Sequence, residues 1–264
     1  MKAISITLEL CLVPSTDSYD AQKNTNLVSV VMAVYNEEDT VSQVIEELLA
    51  LQFSDFEIEL IVVESQSTDS TQTKIKVFES RENVNIIYQD SPRGKGHAVR
   101  EGLKHVKGNV ILIQDADDEY SLSDYPLLLK PILDGTTDFV LGTRHKSGES
   151  MRVMPGEPFR SKVLNAGHHF FVVLFNVLYG TKLTDPFTMY KVFRTKCIAD
   201  LEFYSNRFDF DWELMGKLVR RNYIPIEVPV AYAARGFRSG KKVSYFRDPV
   251  TWIYAAFRFR FCKL

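Results

Sequence analysis

Five short strand-like stretches rich in apolar residues, at 27–34, 56–63, 84–89, 110–114 and 139–142, alternate with stretches whose apolar residues recur at helical spacing. Between the first two runs, Val41, Val44, Ile45, Leu48 and Leu49 mark one face of a helix over 38–52. Further helices are expected from Thr68 or Asp69, either of which can cap a first turn, to Phe78, then over 95–106 and 123–133. A strand followed by a helix before the next strand has to cross over, which makes the strands parallel and covers both sheet faces. The expected fold class is therefore α/β, with a mostly parallel central sheet and helices on both faces.

In such sheets ligands bind beyond the carboxyl ends of the strands, a rule that sorts the polar residues. Tyr35, Asn36 and Glu37 follow the first run, and Glu64-Ser65-Gln66-Ser67 the second. Arg93-Gly94-Lys95-Gly96-His97 follows the third, and Thr143-Arg144-His145 the fifth. The fourth run ends in Asp115-Ala116-Asp117-Asp118-Glu119, four carboxylates in five residues. Like charges this dense repel unless a hard cation relieves them. Oxygen-only ligands that leave room for phosphate suit Mg²⁺ or Mn²⁺. All five polar sets are expected along one edge of the sheet.

The second half is organised differently. A long helix over 158–179 is broken at Asp185-Pro186, a strand returns at 189–193, and a helix over 210–221 turns Phe210, Leu214 and Leu218 to one side. A strand at 224–232, a basic tract at 235–242 and an aromatic, basic tail follow. A formal net charge of −2, with no phosphate-seeking excess across the chain, argues against a nucleic-acid binder. Cys11, Cys197 and Cys262 lack metal spacing and fit a reduced, cytoplasmic setting. No apolar run approaches the ~18 residues of a membrane span. His168 and His169 point about 100° apart on a helix and cannot share an ion.

Residues 28–38, with Tyr35-Asn36-Glu37-Glu38 at their end, resemble the opening of the inverting GT-A glycosyltransferases of family 2. Ser67-Thr68-Asp69-Ser70-Thr71, Gly94-Lys95-Gly96 and Asp115-Ala116-Asp117 follow in that family's order. Gly142-Thr143-Arg144, Asp185-Pro186-Phe187-Thr188, Glu227-Val228-Pro229-Val230 and Gly240-Lys241-Lys242 are most similar to its dolichol-phosphate mannosyltransferase-like branch.

The resemblance implies a GT-A fold and transfer of a hexose from a UDP- or GDP-sugar to a polyprenyl phosphate or a glycan hydroxyl, assisted by Mg²⁺ or Mn²⁺. It divides residues 27–249 into a nucleotide-sugar half (27–150) and an acceptor half (151–249); the polar stretch before them reads as a loose leader (1–26), and the aromatic, basic tail (250–264) as able to touch a membrane peripherally. Asp115, Asp117 and Glu119 would hold the metal, with Asp115 also leaning on the nucleotide, and Asp118 would be solvated. Tyr35, Asn36, Glu37 and Glu64 would cradle base and ribose. Many members carry paired aspartates where this chain has Glu64-Ser65, which leaves the nucleotide open.

Lys95 would face phosphate or ribose, and Arg144 the diphosphate, which a guanidinium can bind with two hydrogen bonds. Arg235 and Lys241 would close a basic lid over the site. Asp211 would remove a proton from an acceptor hydroxyl, or hold a sugar hydroxyl if the acceptor is already anionic. Asp185 would face acceptor or sugar, or merely form a turn. Glu213 and Lys217 would pair on the watery face of their helix. Two rival readings are a sugar nucleotidyltransferase, which attacks phosphorus instead of carbon, and a non-catalytic nucleotide-binding relative.

Overall fold

The structure, a computed structural model, describes residues 26–145, 151–153, 156–234 and 247–262. Arg235 and Lys241, and with them the basic lid, lie outside the described residues. The strands are β1 (Asn26–Val34), β2 (Phe56–Glu64), β3 (Val84–Tyr88), β4 (Val110–Asp115), β5 (Phe139–Thr143), β6 (Lys191–Arg194) and β7 (Ile226–Pro229). They form one sheet in the order β3-β2-β1-β4-β6-β5-β7. Only β6 runs against its neighbours, β4 and β5; every other pair is parallel. The carboxyl ends of β1 to β5 and β7 therefore share one edge.

Helices α1 (Val41–Ala50), α2 (Thr71–Lys76), α3 (Lys95–Leu103), α4 (Tyr125–Leu133), α5 (Pro158–Tyr179), α6 (Phe210–Arg220) and α7 (Arg247–Phe261) complete the layers. Alternation along the strands splits the core in two. Val28, Val30 and Met32 of β1 pack with Val44, Ile45 and Leu48 of α1 and with Leu128, Leu129 and Ile132 of α4. Val31, between them in sequence, points the other way, to Val99 of α3, Phe175 of α5, Leu214 and Leu218 of α6 and Phe259 of α7.

Three expectations are corrected. Helix α2 is shorter than 68–78, because Thr68 and Asp69 are engaged with the loop after β1. Strand β7 stops at Pro229, and beyond it Tyr232 makes an isolated bridge to Tyr120. The Glu213–Lys217 pair does not face water, since both side chains are buried. Glu213 accepts from the Tyr204 and Ser205 amides at 2.9 and 2.7 Å and from Lys217 Nζ at 2.6 Å, and the rings of Phe203, Tyr204 and Phe259 surround that ammonium. The stretch 202–205 is thereby pinned over α6.

Candidate active site

A cavity of about 710 Å³ opens at the carboxyl edge of the sheet. It is lined by Tyr35 and Glu37 after β1, Ser65 after β2, Gly94 and Lys95 after β3, Asp115, Asp117 and Glu119 after β4, and Arg144 after β5. All five polar sets thus contribute to one site. Asp211 and Trp212 of α6, Phe171 of α5 and Trp252 of α7 supply further wall.

The first two loops are joined through their backbones. Asn36 sits at φ 49°, a left-handed position that asparagine tolerates. Its amide donates to Ser67 Oγ at 2.9 Å, and its side-chain oxygen accepts from the Thr68 amide at 2.8 Å. The Glu37 amide reaches Thr71 Oγ1 at 2.9 Å, and the Ser70 amide reaches Glu38 Oε2 at 3.0 Å. The Ser67–Thr71 motif therefore works as the clasp that shapes the Tyr35–Glu37 loop.

Glu64 belongs to the same clasp and not to the cavity wall. It is fully buried, and its two carboxylate oxygens accept from the Gln66 and Ser67 amides at 3.0 and 2.6 Å. The expected ribose contact is corrected accordingly. Asn36, likewise spent on Thr68, shapes the loop, whereas Tyr35 and Glu37 stand in the wall.

Lys95 opens α3 and pairs with Asp115. Burial works to lower its pKa, but Asp115, with Asp211 and Asp117 beyond it, holds it above the ordinary lysine value. Gly94 permits this approach: it takes φ 104°, and a Cβ there would sit 2.5 Å from the Asn206 carbonyl. The three acids expected to hold a metal do not converge. Asp115 faces Lys95, Asp117 is buried and accepts weakly from the Glu119 amide at 3.4 Å, and Glu119 accepts from the Tyr232 hydroxyl at 3.0 Å. Among the described residues no three His, Cys, Asp or Glu side chains are grouped to hold a metal unaided. Asp118 is exposed, as expected.

The β5 side is built on buried charge. Arg144 is not at the surface. Its Nε and Nη2 donate to the two Asp185 oxygens at 2.7 and 2.8 Å, its amide adds a third bond at 3.1 Å, and its guanidinium lies 5.3 Å from the centre of the Tyr232 ring. Asp185 has no exposed surface, so it faces neither acceptor nor sugar. Burial alone would raise its pKa, but the Arg144 charge and hydrogen bonds hold it well below the usual carboxylate range. Glu227 of β7 fixes the backbone beneath, accepting from the Thr184 and Asp185 amides at 2.8 and 2.7 Å.

His168 stacks into this group, 3.5 Å from Asp185, and desolvation pushes its pKa down to about 3, leaving it neutral. Arg152 also lines the cavity, its Nε buried without a hydrogen-bond partner. Desolvation and the neighbouring Arg144 lower its pKa.

Asp211 stands in the first turn of α6, where its Oδ1 receives the ammonium of Lys191 at 2.7 Å. Lys191 lies in β6 with no exposed surface and also donates to the Thr188 carbonyl. Desolvation lowers its pKa, with Asp211 opposing. Asp209, the alternative acid, accepts from the Arg207 amide at 3.0 Å and serves the turn into α6. The sequence alone assigns no part to Lys191, Arg152 or Glu227. A lysine inside the apolar run 189–193 was the available signal, because a buried ammonium requires a carboxylate partner.

Comparison with known proteins places this geometry. The model of the family "Glycosyl transferase family 2" matches residues 29–200. A dolichyl-phosphate β-glucosyltransferase of Trichomonas vaginalis is 28% identical over 78% of this chain and 65% of its own length. A low-salt glycan biosynthesis hexosyltransferase of Haloferax volcanii is 29% identical, over 79% and 48%. A dolichol-phosphate mannosyltransferase of Pyrococcus furiosus is 27% identical, over 79% and 57%. The chain thus spans about half to two thirds of the length of these relatives. Glucosyl-3-phosphoglycerate synthase of Mycobacterium tuberculosis, solved with Mn²⁺, UDP-glucose and phosphoglyceric acid, superposes with a TM-score of 0.64 at 18% identity. The match covers 90% of this chain and 81% of that one, and establishes the fold as GT-A-like.

Proposed function

Given that the chain belongs to glycosyl transferase family 2, we propose that it transfers a hexose, with inversion, from a UDP- or GDP-sugar to a polyprenyl phosphate. One observation carries the reading: a single cavity joins carboxylates at the end of β4 to guanidinium groups, Arg144 and Arg152, at and beyond the end of β5. The strand ends that bear Asp115 and Arg144 are separated by β6, about 10 Å in the plane of the sheet. That span suits a diphosphate at one side and an anionic acceptor at the other. Two guanidinium groups against the one buried carboxylate of Asp185 leave positive charge for the acceptor phosphate.

On the donor side, Asp117 and Asp115 fit a divalent cation whose remaining oxygen ligands come from the donor diphosphate, the usual pattern for Mg²⁺. When bound, Mg²⁺ or Mn²⁺ supplies Lewis-acid stabilisation of the leaving nucleoside diphosphate. Lys95 moves its charge from Asp115 to donor phosphate oxygens, and Tyr35 and Glu37 bound the nucleotide. Arg235 and Lys241 keep their proposed part as a lid.

A phosphate acceptor is already a nucleophile, so Asp211, fixed by Lys191, positions a sugar hydroxyl. With a glycan hydroxyl as acceptor, the second reading, the same carboxylate takes the proton. Among the described residues no helix is long and apolar enough to cross a membrane. A lipid acceptor would then be met from a cytoplasmic membrane surface, with the C-terminal segment in peripheral contact.

The test incubates the protein with Mn²⁺, labelled UDP- or GDP-hexoses and either a short polyprenyl phosphate or a glycan. Appearance of glycolipid and nucleoside diphosphate is expected. Release of pyrophosphate would favour the nucleotidyltransferase rival, and absence of Mn²⁺-dependent nucleotide binding the non-catalytic one.

A further inference from the structure

Beyond β7 the chain crosses the carboxyl edge of the sheet. The Val230 amide donates to the Thr143 carbonyl at the end of β5, at 3.0 Å, and the Ala233 amide to the Glu119 carbonyl beyond β4, at 2.8 Å. Between these anchors the Ala231 amide reaches Asp124 Oδ2 at 2.7 Å, and Tyr232 bridges to Tyr120. Strand β6, which separates β4 from β5, runs the other way and has its carboxyl end at the opposite edge. Residues 230–233 therefore strap the two ends together across the top of β6.

Tyr232 sits within this strap and lines the cavity. Its side chain touches both rims. The hydroxyl donates to Glu119 Oε2 at 3.0 Å, and the Arg144 guanidinium carbon lies over the ring, 5.3 Å from its centre and within cation–π range. The ring is itself held in place. Tyr120 packs against it with ring centres 5.1 Å apart, and the Tyr120 hydroxyl accepts from the Met189 amide at 3.2 Å.

Both charged groups need such a guide. Glu119 follows Asp117, the acid proposed for the donor cation, by two residues, and its amide donates to Asp117 Oδ1 at 3.4 Å. A glutamate side chain has much rotamer freedom to lose, so a fixed hydroxyl decides where its carboxylate stands. Arg144 spends Nε and Nη2 on Asp185, and among the described residues nothing bonds Nη1. That nitrogen is the part of the guanidinium left for a phosphate, and the ring beneath it restricts its direction.

We propose that Tyr232 is a positioning residue for both substrates: its hydroxyl holds the Glu119 carboxylate beside the donor-cation site, and its ring aims Arg144 Nη1 at the acceptor phosphate. This rests on the reading of the cavity as a donor site and an acceptor site, and adds that one tyrosine serves the two through separable parts.

The test separates those parts. Tyr232→Phe removes the hydroxyl and keeps the ring; Tyr232→Leu removes both. Nucleotide-sugar binding is titrated by calorimetry over a series of Mn²⁺ concentrations, and the acceptor KM is measured with a short polyprenyl phosphate. In the Phe variant the Mn²⁺ concentration for half-maximal binding should rise about tenfold, the usual order for losing a partner behind a metal-directed side chain. Its acceptor KM should stay within about twofold of wild type, whereas the Leu variant should show the same Mn²⁺ shift and an acceptor KM raised about tenfold. In a Glu119→Ala background, Tyr232→Phe should shift the Mn²⁺ requirement no further, because the hydroxyl acts through that carboxylate.

An unchanged Mn²⁺ requirement in the Phe variant would overturn the part given to the hydroxyl, and equal acceptor KM in the Phe and Leu variants the part given to the ring. The same Mn²⁺ shift with and without Glu119 would make the tyrosine merely structural. Wild type that binds no nucleotide sugar in Mn²⁺ would overturn the enzyme reading and this proposal together. Mn²⁺-dependent binding by wild type with silent variants would remove the proposal alone.

Discussion

At the β1 and β2 ends of the cavity, Tyr35 and Glu37 stand on loops clasped through backbone amides, with Asn36, Glu64 and the Ser67–Thr71 motif as the fasteners. At the β5 end, Arg144 hangs on the buried carboxylate of Asp185, whose backbone is held in turn by the half-buried Glu227. The first design holds its shape with hydrogen bonds to backbone amides, worth about 1 kcal/mol net between neutral groups and about 1.5–3 kcal/mol where a carboxylate such as Glu64 accepts. The second stores its stability in ions withdrawn from water, where losing one partner strands the other. Damage on the donor side should therefore appear in binding and turnover, and damage on the acceptor side in folding.

The largest expected effect tests the acceptor side. Asp185→Ala leaves the Arg144 guanidinium buried without its partner and should cost about 3–5 kcal/mol in urea unfolding. A loss below about 1 kcal/mol would mean that Arg144 swings to solvent, and the contrast between the two rims would collapse. Asp117→Ala should behave oppositely, lowering transfer by roughly a hundredfold or more while the unfolding midpoint barely moves. Retention of more than a few per cent of activity would remove the metal role of Asp117.

Between the two lies Lys191→Met. Donor affinity by calorimetry should hold, whereas kcat falls about tenfold because Asp211 loses its anchor. Restoration by Lys191→Arg would identify the charge as what matters; an unaltered kcat in the Met variant would make Lys191 purely structural.

The smallest effect is a pH dependence. The folded His168 stays neutral down to about 3, while an unfolded histidine takes up its proton near 6.5. The unfolded state therefore binds more protons between those values, and stability falls as pH drops through that window, by at most about 1.4 kcal/mol per unit. Asp185, whose pKa is held down mainly by Arg144, adds a loss in the same direction below the ordinary carboxylate value. His168→Gln should flatten the upper part of the curve, with Asp185, Arg144, Arg152 and His145 as the charged and titratable neighbours that shape the remainder.

The same division governs how much could be read from residues alone. The strands and their shared polar edge were legible because Val30–Val34, Leu60–Val63 and Val110–Ile113 are continuous apolar runs and parallel topology leaves them one functional edge. The roles of Glu64 and Asp185 were not. Both are acids at loop positions where ligand contact is the natural expectation, and both are consumed by groups whose nearness only the tertiary fold creates: a positive-φ turn at Gln66 for Glu64, and Arg144, 41 residues away, for Asp185. Lys217 illustrates the converse. Its i, i+4 pairing with Glu213 was evident, but the stretch 202–205 that buries the pair carries no local signature.

The central claim is that the β4 carboxylates and a divalent cation together hold the donor diphosphate. Calorimetric titration of UDP- and GDP-hexoses into wild type and Asp117→Ala, with and without Mn²⁺, measures it directly. The expected result is binding of one nucleotide sugar by wild type that requires Mn²⁺, with the Asp117→Ala variant showing the same weak affinity whether the ion is present or absent. Equal, Mn²⁺-enhanced affinity in both proteins would contradict the account.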